Sequence, residues 1–399
     1  MVPSLRRGEA AFAAALASLL LAAPSAAQDV VGEFPHVKVP AENPQTPEKI
    51  SLGKALFHEE QLSSDDTMAC ATCHRTEFGG GDPRESGRHP GNDGYLRTAD
   101  DEFGSLGVVL RAASGEVKRH RVFGEQPQVT PRATPTVIGA AFFNVQFGDT
   151  RALPTFCDER GEVVIRQFAS LESQAVGPLM SSVEMAKEGR TWAELTAKLA
   201  AAKPLALASD LPPALAEFVG EAPDYTVLFQ KAFGSPEVTR ERIAMAIASY
   251  ERTLVPDQTP FDLGTLTEVQ ERGLEVFVEH DNCELCHPSA NKLFSDGARR
   301  DISLPGHERP VKVPTLRNVG LRSRFMSSGQ FTSLKQVIDH YQKEGLSHLK
   351  GDEDRDALID FVANGLTDPR VEKRLPPFDR PTLRSERVEK AAAEAARQD

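Results

Sequence analysis

Long apolar runs, basic charge and strand-like alternation are all scarce in this sequence of 399 residues. Beyond the opening segment no stretch is long and apolar enough to cross a bilayer, so no membrane span is expected. Lys and Arg number 46 against 58 Asp and Glu. That acidic balance argues against nucleic acid or an anionic membrane as partner and suits a basic protein. So little of the text alternates apolar with polar residues that an all-α architecture with extended loops is expected. Trp192 is the only tryptophan. Cysteine is sparse too, at five residues, but four of them fall in two Cys-x-x-Cys pairs, each followed directly by His.

The opening segment sets the compartment. Arg6 and Arg7 precede the apolar run Ala10–Ala23, and Pro24-Ser25-Ala26-Ala27 places small residues where a signal peptidase reads them. Residues 1–27 read as a secretory signal peptide, which sends the chain to the periplasm; a retained N-terminal anchor is the alternative. About 370 residues follow, enough for two domains or one domain duplicated. Ile50 onward repeats apolar residues at helical spacing up to the first Cys pair, and Glu268–Val278 does so before the second. Gly273 and Phe277 lie four apart, as Gly53 and Phe57 do, which marks an internal repeat. Helices are expected over Trp192–Leu199, Leu215–Phe218, Tyr225–Phe233 and Ile243–Leu254. The Pro256–Pro260 break with Phe261-Asp262 marks the domain boundary. The division is 28–256, 257–384 and a charged tail 385–399. Gly79–Pro131 and Arg151–Gln167 read as long loops, with a short strand at Glu162–Ile165.

Cys-x-x-Cys-His is the attachment pattern of haem c. Two sulfurs one helical turn apart form thioethers with the vinyl groups, and the next residue sets an imidazole beneath the iron. Cys70, Cys73 and His74 satisfy this, as do Cys283, Cys286 and His287. Zinc is the competing reading, but the two pairs are more than two hundred residues apart, whereas compact four-cysteine sites place theirs close together. Two covalently bound haems on two cytochrome c-like domains are therefore expected, with Cys157 a free structural thiol.

From about Ser51 to about Asp368 the chain resembles the bacterial dihaem cytochrome c peroxidase/MauG family. The resemblance is carried by Gly53-x-x-Leu56-Phe57 with Leu62-Ser63, Phe78-Gly79-Gly80 after the first motif, Arg132-x-Thr134-Pro135-Thr136 and Gln146-Phe147-x-Asp149-x-Arg151. It continues with Gln174-x-x-Gly177-Pro178, Val183-Glu184-Met185, Pro256-x-x-x-Pro260-Phe261-Asp262, Pro314-x-Leu316-Arg317-Asn318-Val319 and Ser328-Gly329-Gln330. It implies that the His74 haem meets hydrogen peroxide and the His287 haem receives or stores electrons. It also implies that Glu184 is the distal carboxylate that shuttles protons and that Gln174 positions peroxide beside it. One carboxylate can take a proton from one peroxide oxygen and deliver it to the other, and burial raises its pKa toward the working range.

The chain departs from the family at several points. Gly148 stands where a relay tryptophan is usual, which puts transfer between the haems by that route in doubt. Near the second haem Tyr341 aligns with the MauG branch's tyrosine ligand where peroxidases carry Met, and Met326 and His340 are nearby alternatives. His89 matches the spacing of a histidine that blocks the peroxide haem at rest; His120 is a second candidate, and both also read as loop histidines. Ala133 replaces a usual asparagine ligand to calcium, so calcium stays open.

The expected activity is reduction of hydrogen peroxide to water, with electrons from a small cytochrome c or cupredoxin. The alternatives are a MauG-like enzyme that oxidises residues of a partner protein substrate, and a plain electron carrier. The family is often a homodimer.

Overall fold

The computed structural model describes residues 1, 34–84, 88–91, 93–95, 98, 101–304, 310–349, 351–395 and 397. Apart from Met1, the expected signal peptide lies outside the described residues. The helices run α1 (Pro47–Phe57), α2 (Cys70–Cys73), α3 (Ser170–Ala175), α4 (Trp192–Ala201), α5 (Pro213–Val219), α6 (Tyr225–Phe233) and α7 (Arg240–Glu251). After the proline-rich break come α8 (Pro260–Leu263), α9 (Glu268–Glu275), α10 (Leu334–Lys343), α11 (Asp352–Asp360), α12 (Pro369–Glu372) and α13 (Arg384–Ala395).

Local chemistry sets the helix starts. The Thr46 hydroxyl accepts from the Lys49 amide and Pro47 takes the first turn of α1, where no N–H is needed. Thr191, Asp224 and Thr239 cap α4, α6 and α7 in the same way. Thr259 with Asp262, and Thr267 with Gln270, form reciprocal capping boxes on α8 and α9. Proline also opens helices, at Pro213 and at Pro260 within the expected break.

Two helix crossings organise the core. α1 lies across α7 so closely that a Cβ on Gly53 would sit 1.9 Å from the Ala246 carbonyl oxygen and 2.9 Å from Tyr250 Cβ. α9 crosses α11 likewise: a Cβ on Gly273 would sit 2.1 Å from the Ala357 carbonyl oxygen and 2.6 Å from Phe361 Cβ. Glycine at each crossing is thus a packing requirement. Around the first gather Leu52, Leu56, Phe57, Ile243 and Tyr250, and around the second Phe261, Phe277, Phe294, Leu358 and Phe361.

The fold is mainly helical, and the all-α expectation is corrected by short antiparallel hairpins: β1–β2 (Arg88–His89, Glu102–Phe103), β3–β4 (Leu106–Val109, Pro127–Val129), β5–β6 (Phe156–Cys157, Val163–Ile165) and β7–β8 (Arg299–Arg300, Val311–Lys312). Several fall within the tracts expected to be loops. Strands of two to four residues, with register shifts in β3–β4 and β5–β6, are too short and irregular to show alternation. The chain also doubles back at its end. Val371, Phe378 and Leu383 pack into the first core, and Glu60 accepts from the Arg384 and Ser385 amides, both at 2.8 Å. Most of the charged tail is the helix α13, tied back by a 2.6 Å pair between Glu389 and Arg75.

The break between the two crossings is fastened by a buried ion pair. Arg317 donates to both Asp262 oxygens, at 2.6 and 2.8 Å, and to the Pro256 carbonyl at 2.8 Å. Asp262→Asn should cost about 3–5 kcal/mol, because it leaves the guanidinium buried without a full counter-charge. Gly273→Ala should cost about 1–3 kcal/mol through overpacking. The shift in urea midpoint of the haem-loaded protein checks both.

Candidate functional site

Each Cys pair sits on a single tight turn. In the first, the His74 amide donates to the Cys70 carbonyl at 3.0 Å, and the Thr72 hydroxyl accepts from the Ala69 amide at 2.9 Å. Gly79 and Gly80, at φ of 62° and 72°, then turn the chain back so that the Gly80 carbonyl oxygen lies 3.3 Å from His74 Nδ1. In the second, His287 Nδ1 lies 2.7 Å from the Phe294 carbonyl oxygen. A carbonyl only accepts, so in each ring Nδ1 carries the hydrogen and Nε2 keeps its lone pair for a metal. Burial pushes His74 down to about 4 and lowers His287 too, which keeps both rings neutral. Burial also raises the thiols of Cys70, Cys73 and Cys283, so these are not the low-pKa thiolates of a redox pair.

Both motifs open onto one cavity of about 800 Å³ with mostly apolar walls. Two thiols with a neutral imidazole at each of two places in an apolar cavity is a donor set that fits two haem groups. Cys157 lies outside the cavity, in the β5–β6 hairpin.

Glu184 and Gln174 line the same cavity as Cys70 and His74. The Glu184 amide is held by the Ser181 carbonyl at 3.1 Å and hydroxyl at 3.3 Å. Burial raises its carboxyl above the usual glutamate range, against a partial opposing pull from the Ser181 hydrogen bond and Arg151. Gln174 ends α3, where the Gly177 amide closes the turn on its carbonyl at 3.0 Å.

Of the three candidates near the second motif, Tyr341 and Met326 line the cavity, with the Tyr341 hydroxyl 3.9 Å from Met326 Sδ. Burial raises the Tyr341 phenol. His340 does not line the cavity; its Nε2 meets the Ile302 carbonyl at 2.9 Å. His89 and His120 are not brought to the cavity either. They flank the Phe123 ring, each 4.8 Å from it between centroids, His89 edge-on and His120 stacked.

At Gly148 the room a side chain would take is met by Arg132, whose Nη1 would lie 3.0 Å from a Cβ there. Other polar residues of the cavity went unread in the sequence. Part-buried Arg322 donates to the Thr134 carbonyl, Lys312 to the Val145 carbonyl at 3.0 Å, and Glu251 at the end of α7 also lines the cavity. A signal existed for Glu251, a charge in helical register with apolar Ile243 and Ile247.

Residues 47–268, more than half of the chain, match the di-haem cytochrome c peroxidase family. The chain belongs to that family. Like its relatives this di-haem peroxidase family member is an oxidoreductase, and membership implies two haem groups. The methylamine utilization protein MauG of Methylophilus methylotrophus is 28% identical over 333 residues, which span 78% of this chain and 77% of that protein. Cytochrome c551 peroxidase of Pseudomonas aeruginosa is 27% identical over 364 residues, 84% of this chain and 83% of that one. A MauG-like protein associated with microbial copper homeostasis superposes with a TM-score of 0.58 at 21% identity, covering 86% of this chain and 96% of its own. The diheme peroxidase BthA of Burkholderia thailandensis gives 0.52 at 19%, covering 86% and 91%. At those identities the structural likeness concerns the fold. No helix among the described residues is long and apolar enough to cross a membrane.

With His89 against Phe123 and Tyr341 facing the cavity, His89→Ala should leave the haem absorption spectrum unchanged. Tyr341→Phe should alter the spectrum of one haem only.

Proposed function

We propose that the protein is an exported peroxidase that reduces hydrogen peroxide to two waters. Cys70 and Cys73 would hold the reactive haem covalently with His74 as its proximal ligand; Cys283, Cys286 and His287 would hold the electron-receiving haem. The reading is carried by Glu184, a carboxyl raised by burial that borders the same cavity as Cys70 and His74. Bound haem iron supplies the electrons that split the O–O bond. Glu184 takes the proton from one peroxide oxygen and returns it to the other, which leaves as water. The Gln174 amide can donate to one peroxide oxygen and accept from its O–H, which fixes the orientation.

The close helix crossings at Gly53 and Gly273, and the matching carbonyl contacts of His74 and His287, support a duplicated cytochrome c-like unit. The leader over 1–27 supports a periplasmic location, and the net charge of −12 suits a basic cytochrome c or cupredoxin as electron donor. Calcium has no part in this reading: Ala133 offers no side-chain oxygen, and the Arg322 guanidinium already takes the adjoining Thr134 carbonyl.

A second reading, MauG-like oxidation of residues on a partner protein, is favoured by Tyr341 facing the second haem position. Gly148 with Arg132 beside it weakens that reading. The plain electron carrier gives way to membership in an enzyme family.

Spectra of the oxidised, half-reduced and peroxide-treated protein test the reading. A high-spin haem before or after half-reduction is expected, and its absence in both states removes both peroxide readings. Glu184→Gln should lower turnover by about 10²–10⁴-fold with both haems retained. Because Glu184 must start as the carboxylate, activity should fall as pH drops through its raised pKa, above the ordinary value of about 4.3. An unchanged pH–rate profile in Glu184→Gln would remove its role.

A further inference from the structure

The glycine contacts let the two helix crossings be matched position by position. Gly53 faces Ala246 and Tyr250, and Gly273 faces Ala357 and Phe361, so Ala246 corresponds to Ala357 and Tyr250 to Phe361. One step beyond each alanine, Ile247 and Leu358 both line the cavity. Five steps beyond, Val362 lines it at the second position and Glu251 at the first. A carboxyl thus stands beside Cys70 where the duplicate places an isopropyl group.

This carboxyl is sequestered. Glu251 is 3% exposed, and its Oε2 has no hydrogen-bond partner among the described residues. The adjacent Arg252 gives it no hydrogen bond, because that guanidinium is turned to Glu172, at 2.9 and 2.8 Å, and to the Phe168 carbonyl at 3.0 Å; its charge offsets burial only in part, and Glu172 adds to the upward push. Charged groups on the other packed elements are engaged as well. On α1, Lys49 donates to Asn43 and Pro44, Lys54 pairs with Asp379, and His58 Nδ1 meets the Lys54 carbonyl. Cys70 of α2 becomes a thioether once haem is attached, and Glu184 and Arg151 border the cavity from the loops. A buried carboxyl oxygen without a partner costs the fold stability, so its presence at only one of the two matched positions calls for a role.

We propose that Glu251 is the redox-linked proton acceptor of the Cys70–His74 haem, gaining a proton when that haem gains an electron. The electron comes from the one-electron donor protein. The proton comes from solvent and forms an O–H bond on the Glu251 carboxylate, so the added negative charge in the cavity is neutralised where it arises. Peroxide reduction consumes two protons, and Glu251 holds one of them ready beside Glu184. Burial pushes the Glu251 carboxyl up to about 8, which brings its proton exchange near physiological pH. The proposal rests on the Cys70–His74 haem assignment but not on peroxide turnover.

Spectroelectrochemical titration of the dihaem protein across pH tests it, in wild type and Glu251→Gln. In wild type the potential of the Cys70–His74 haem should fall with pH over one window, approaching a tenfold change per pH unit, about 59 mV for one electron. It should be flat below that window, where the carboxyl is protonated in both states, and above it, where it is protonated in neither. Glu251→Gln should abolish the slope, and the Cys283–His287 haem should show none. A slope that survives in Glu251→Gln overturns the proposal. An infrared difference spectrum of wild type, reduced minus oxidised, tests the same proton uptake without any variant. A carboxyl C=O band should grow in on reduction, and its absence overturns the proposal too. Haem content exposes a failed haem assignment separately, and a lack of peroxide turnover would leave both measurements interpretable.

Discussion

Everything in the site hangs from two places where helices touch backbone to backbone. At Gly53 and Gly273 no side chain separates the crossing helices. Contact this close fixes how far each haem-motif turn stands from the later helix that walls its cavity. Packed interiors do not deform gradually, so the turn that follows α1 or α9 inherits a defined position. The cysteines and imidazole are then placed by short-range geometry alone: one tight turn and one carbonyl contact per histidine.

Both Cys-x-x-Cys-His turns border one cavity, and function depends on what surrounds each of them. Glu184 and Glu251 stand near enough to Cys70 to help raise its thiol, while Tyr341 stands near Cys283 and Cys286. Burial makes such differences large. In a low-dielectric cavity a single carboxyl shifts the balance of charge far more than it does at a surface. Arg132 beside Gly148, Lys312 and Arg322 bring cations to the wall of the same cavity.

Much of this was legible in the residue order. Capping residues, the spacing of Cys70 to His74 and Cys283 to His287, and the Gly53/Gly273 repeat are local patterns, and local patterns survive in one dimension. The short strand at Glu162–Ile165 was legible and coincides with β6, but the other hairpins were not, because strands as short as Arg88–His89 carry no periodicity. Nor was the return of Val371, Phe378 and Leu383 to the first core, since their partners lie some three hundred residues earlier.

The two Cys-x-x-Cys-His turns are set by sequence alone, because thioether chemistry needs two sulfurs and an imidazole within five consecutive residues. Which histidines and carboxyls surround those turns depends on tertiary packing. Spacing made His89 a ligand candidate, yet the fold lays it against Phe123. Helical register marked Glu251 only as a charge among apolar neighbours, and it is the folded α7 that brings it to the cavity wall near Cys70. A side chain's reach is a few ångströms, so only the folded chain determines which groups share a cavity.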